Sequence, residues 1–156
     1  MSYDLLVFVH VVGVILFLGV GTGSAFYKFM TDRSRNLQAI VEVNKIVVFA
    51  DWLFTTPAAL IQPISGIALA HVMGISLMEP WLLISMVLYV ISGSLWLVAV
   101  YLQIKMKDMA FNALESGVEL SEDYQRYVKQ WILLGIPSFL AMFVIMILMM
   151  FHNWIW

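Results

Sequence analysis

Charged residues are missing from four long stretches of this chain. Leu5 to Tyr27, Trp52 to Met78, Trp81 to Ile104 and Trp131 to Trp156 contain no Lys, Arg, Asp or Glu. Each stretch exceeds the roughly 20 residues that carry a helix across a bilayer core. None shows the strict alternation of a barrel strand, and in hydrocarbon each backbone group must be satisfied within its own segment. The pattern predicts an all-α integral membrane four-helix bundle with both termini outside, forming a single transmembrane domain over residues 1–156. The spans fall near 4–28, 47–74, 80–105 and 130–153, with charged loops over 29–46 and 106–129.

Within the spans the polar and small residues form stripes. Asp51, Thr55, Ala58, Gln62 and Ser65 recur at helical spacing and so share one face of the second span. The same spacing aligns His10, Gly13, Phe17, Gly21 and Ser24 in the first span. It aligns Ser85, Tyr89, Ser92, Trp96, Ala99 and Gln103 in the third, and Gly135, Ser138, Met142, Ile145, Met149 and His152 in the fourth. All four faces are expected to turn toward a shared interior. Thr55, Ser65, Ser85 and Ser92 then read as the small and hydroxylic residues that let helices approach in lipid. Pro63 follows Gln62 and has no N–H, so a kink should free carbonyls around residue 59, and Thr56-Pro57 repeats the arrangement. A helix broken twice beside polar side chains is where membrane proteins place water, ions or cofactors.

Composition narrows the reading. At 63% hydrophobic and 12% charged, the chain carries more apolar surface than a soluble domain can cover. All eight basic residues lie in or directly beside the two charged loops, which by the positive-inside rule are cytoplasmic, giving a multi-pass membrane protein with N-out/C-out topology. Tyr3, Trp81, Trp154 and Trp156 are expected at the outer interface and Tyr27, Trp52, Tyr127 and Trp131 at the inner one. No basic n-region precedes the first span, so it does not read as a cleavable signal. In the loops, the first turn is expected near Thr31 to Asn36, Gly117 is expected to cap the third helix and Ser121 to start the fourth. A net charge of −2 argues against a nucleic-acid partner, and with no cysteine any metal or cofactor must use His, Met, carboxylates or carbonyls.

The three histidines all fall toward the outer side. His10 lies within the first span and shares its face with Gly13 and Gly21, which should leave room for a flat ligand. His71 sits about half a turn away from Gln62 on the second helix, which favours an interfacial role, and His152 lies near the chain end beside Met149. An ionisable residue inside a span is a functional candidate, and neutral imidazole commonly ligates haem iron, zinc or copper. Asp51, near the inner interface, either pairs with Lys45 or Arg126 or begins a proton path through Thr55 and Gln62.

The stretches FVHVVGVILFLG, DWLFTTPAALIQPISGIAL, SLWLVAVYLQIKMKDMA and YQRYVKQWILLGIP resemble a family of bacterial integral membrane proteins built on a domain of unknown function. That family looks distantly related to the CopD-like four-helix membrane proteins, among them copper-resistance protein D and the HemJ-type protoporphyrinogen oxidases. His10 matches their first-span histidine, and the resemblance implies haem b. The arginine-leucine and tyrosine-histidine residues that follow the first span in the HemJ type are absent, since this chain reads AFYKFMTDRSR. The resemblance therefore implies a redox setting more than a particular reaction.

These features point to a haem-b-binding redox or electron-transfer protein, a membrane oxidoreductase if it has a substrate. His10 is expected as one axial ligand and His152 or His71 as the other, with Gln62 beside the cofactor, a redox partner or quinone as electron partner, and a homodimer in the lipid bilayer. The alternatives are a small transporter or channel subunit using the polar stripe of the second helix, or an accessory subunit.

Overall fold

The computed structural model describes the backbone of residues 2–155 and the side chains of residues 2–152. Trp154 and Trp156, expected at an interface, lie outside the described side chains. Four long helices follow one another: α1 (Tyr3–Ser34), α2 (Leu37–Val72), α3 (Pro80–Ser116) and α4 (Glu122–Ile155). All four are long and apolar enough to cross a membrane, and the described residues contain no strand.

The connections form where the local chemistry directs. Arg35 takes a left-handed conformation (φ 57°), and Asn36 caps α2 by accepting the Ala39 N–H at 3.2 Å, so only two residues separate α1 from α2. Gly117 (φ 65°) ends α3 in the left-handed region that glycine enters at little cost, and Ser121 directly precedes α4. Pro80 occupies the first turn of α3, where its missing N–H breaks no helical bond.

Two helices carry a π-helical turn, Ile15–Val20 in α1 and Asp51–Thr55 in α2, and the two turns pack against each other. The second is tied to Pro57, which cannot donate to the carbonyl one turn back. The Thr56 N–H instead reaches five residues back to Asp51.

Each helix packs on the next in sequence, while the backbones of α1 and α4 hardly approach each other. The core at the charged end is built from Ile40 and Val41 of α2, Leu102, Met106 and Ala110 of α3, and Tyr124 of α4. Ser92 and Ser138 exchange hydrogen bonds of 3.0 and 3.1 Å with each other's carbonyls and lock α3 to α4. Every residue of the four stripes is buried or half-buried, and Phe8, Ile64, Val90 and Leu133 point outward. Trp81 and Trp131, expected at the two interfaces, turn inward against the neighbouring helices. Both are buried, because each covers an end of the polar interior: Trp81 stacks on His152, and Trp131 joins the charged-end core.

Candidate functional site

Two cavities lie along the slot between α1 and α4. One, of about 420 Å³, is walled by His10, Gln62, Leu82, Met142 and Met149. The other, of about 380 Å³ and nearer the charged end, is walled by Phe17, Asp51, Thr55, Trp96, Gln103 and Trp131. Leu18 and Met142 line both and form the divide between them.

His10 is held from α2 at two points. Its Nδ1 lies 2.8 Å from Ser65 Oγ, and its carbonyl accepts the Gln62 side-chain amide at 2.8 Å. Ser65 Oγ also stands 2.6 Å from the Ile61 carbonyl oxygen. Two oxygens that close require a proton between them, and only the serine has one to give. Ser65 therefore donates to Ile61 and accepts from His10, so the network assigns the imidazole proton to Nδ1. Nε2 keeps its lone pair, and among the described residues it has no hydrogen-bond partner. A histidine that binds metal through one nitrogen is usually oriented by a hydrogen bond from the other. Here that orienting bond comes from the rigid stripe of α2.

The glycines around His10 act differently from the expectation. A Cβ on Gly13 would run into the Gln62 amide, so Gly13 makes room for Gln62 and not for a flat ligand. A Cβ on Gly66 would sit 3.4 Å from Cε1 of His10, so Gly66 lets the ring lie close against α2.

The other two histidines are not gathered with His10. His71 is exposed and lines neither cavity, and His152 stacks on Trp81 with ring centroids 4.4 Å apart while its Nδ1 stands 3.1 Å from the Met149 carbonyl. The cavity beside His10 is lined instead by side chains of α2, α3 and α4, with Met142 and Met149 among those from α4. No group of three or more His, Cys, Asp or Glu suited to holding a metal ion occurs among the described residues.

Asp51 is not anchored by the loop cations. Lys45 pairs with Glu42 at 2.9 Å and Arg126 with Asp123 at 2.7 Å, each within its own helix. Asp51 faces inward at 4% exposure, because it opens the π turn that carries the α2 stripe into the bundle. Its Oδ2, Thr55 Oγ1 and Gln103 Oε1 are buried and have no hydrogen-bond partner among the described residues. Gln103 closes the α3 stripe in the sequence, and only the packing of α3 on α2 brings it to the acid.

Sequence reasoning missed one further cluster. Lys28, 1% exposed, donates to Asp32 at 3.0 Å and to Asn44 at 2.6 Å. The Tyr124 hydroxyl donates to Asp32 at 2.7 Å and accepts from the Asn44 amide at 3.0 Å. The network ties α1, α2 and α4 together across the charged end of the slot, with the lysine 5.6 Å from the Trp131 ring centre. Lys28 and Asp32 stand one turn apart, which was the available signal, but a basic residue at the end of a span reads first as a topology marker.

No curated protein and no solved structure matches the chain, and the expected likeness to CopD-like proteins is not shown by any comparison. The family model described as a predicted integral membrane protein, DUF2269, matches residues 4–153, and the chain belongs to that family.

Proposed function

We propose that this protein is a membrane redox protein that holds haem b in the His10 cavity, with His10 Nε2 as one axial ligand. The observation that carries the reading is the proton assignment at His10. Ser65 accepts a hydrogen bond from Nδ1–H, which leaves Nε2 available on a histidine held at both its backbone and its side chain.

The donor set fits such a group. Imidazole with a thioether is a known ligand pair for haem iron, and Met142 or Met149 on α4, which line the same cavity, would supply the thioether. Neither His71 nor His152 is placed for that role. The cofactor when bound supplies one-electron transfer, while the chain holds the imidazole in one tautomer and surrounds it with apolar walls that exclude water. With the termini outside, as the charged loops imply, the cavity lies in the outer half of a bacterial inner membrane. Asp51 and Thr55 then lie toward the cytoplasm, where they are placed to pass protons.

The test is to express the protein with a haem supply, purify it in detergent and record its visible spectrum. The expected result is a Soret band that His10→Ala abolishes. A preparation that stays colourless after added haemin overturns the reading. A transport path along the α2 stripe is the less favoured reading, because the Gln62 amide is already committed to the His10 carbonyl.

A further inference from the structure

The haem reading gives Asp51 and Thr55 a proton path but leaves the cavity beside them, and Gln103 on its wall, without a role. Asp51, Thr55 and Gln103 stand on its wall, and each carries a buried oxygen, Oδ2, Oγ1 and Oε1 respectively, that has no hydrogen-bond partner among the described residues. Their residues are 4%, 2% and 7% exposed, respectively. Two of the three atoms are pure acceptors, and one belongs to a carboxylate. A buried acceptor without a donor costs free energy, so the site calls for a ligand that brings hydroxyl or N–H donors. The nearby cations do not supply them. Lys28 is spent on Asp32 and Asn44, Lys45 on Glu42 and Arg126 on Asp123.

The rest of the cavity defines the remainder of the ligand. Phe17, Phe29, Trp96, Trp131 and Phe139 line it, and its volume of about 380 Å³ is far more than a bare cation needs. Ile136 and Leu140, also on its wall, are 57% and 56% exposed on the lipid-facing side of α4. The α1 and α4 backbones hardly approach each other there, so the cavity is reached from the bilayer. We propose that it binds the ring of a lipid-soluble hydroquinone. One ring hydroxyl donates to Asp51 and the other polar contacts come from Thr55 and Gln103. The aromatic walls stack on the ring, and its tail leaves between α1 and α4. This site does not depend on haem at His10.

The test uses protein in nanodiscs, prepared without added haem and titrated calorimetrically with a short-chain benzohydroquinone, with empty nanodiscs as reference. The comparison ligand is the same ring with both hydroxyls methylated, which keeps its shape and removes its donors. The expected result is saturable binding of the hydroquinone, at least about tenfold tighter than its ether, the effect of one hydrogen bond to a buried charged acceptor. Asp51→Asn should narrow that ratio to less than about threefold while helical content and elution volume are kept. Should Asp51→Asn fail to fold, Gln103→Met must weaken hydroquinone binding and leave the ether unchanged. Equal binding of the two ligands by the native protein, or no saturable binding, overturns the proposal, and so does a ratio that neither substitution alters.

Discussion

The Tyr89 hydroxyl of α3 donates to the carbonyl of Ala59 in α2, the group that Pro63 leaves without its helical donor four residues on. The proline break and the tyrosine are thus two halves of one contact between helices. Tyr89→Phe leaves that carbonyl unpaired and should cost about 1–3 kcal/mol. Pro63→Ala returns the missing N–H to Ala59, so the double variant should be less destabilised than Tyr89→Phe alone. Thermal unfolding in detergent reads the difference, and additive losses would show that the carbonyl finds no helical donor.

Ser65→Ala removes the hydroxyl that accepts the hydrogen bond from His10 Nδ1–H. If His10 ligates haem, the variant should still take up haem, with affinity reduced about 10- to 100-fold, as for other residues that orient a metal-binding histidine. Titration of the apoprotein with haemin, followed at the Soret band, measures it. An unchanged affinity would place the Ser65 contact in packing alone.

Gly13→Ala forces a methyl group into the position of the Gln62 amide. Overpacking of this kind typically costs about 1–3 kcal/mol. Shortening the partner should relieve it, so Gly13→Ala with Gln62→Ala should cost less than the sum of the two single changes. A sum that is strictly additive would mean that Gln62 can swing clear unaided.

Lys28→Met should be among the most damaging single changes in the protein. It leaves the Asp32 carboxylate buried beside Tyr124 without its cation, a loss of about 3–5 kcal/mol where one partner of a buried ion pair is removed. Adding Asp32→Asn removes the orphaned charge and should recover most of the loss. Denaturation in mild detergent distinguishes the cases, and equal stability of Lys28→Met and the native protein would make the network dispensable.

Much of this molecule was legible in order along the chain. Four uninterrupted apolar runs gave four helices, because a segment in lipid has no other way to satisfy its backbone. The period of Asp51, Thr55, Ala58, Gln62 and Ser65 marked a face that proved buried throughout, and Pro63 pointed to the free carbonyl at Ala59. These are local consequences of dihedral angles and missing donors, so residues a few positions apart are enough to reveal them. Which stripe meets which depends on helix rotation and depth, and a shift of a few residues in either changes the partner. Only the tertiary structure could therefore bring Gln103 beside Asp51, set His10 on Ser65 apart from His71, and seat Gln62 over Gly13 where open space had been expected. The same holds for Lys28. At the end of a span a lysine is cheap in water, and nothing in its own helix says that Asn44 and Tyr124 will close over it and make it one of the most deeply buried side chains of the bundle.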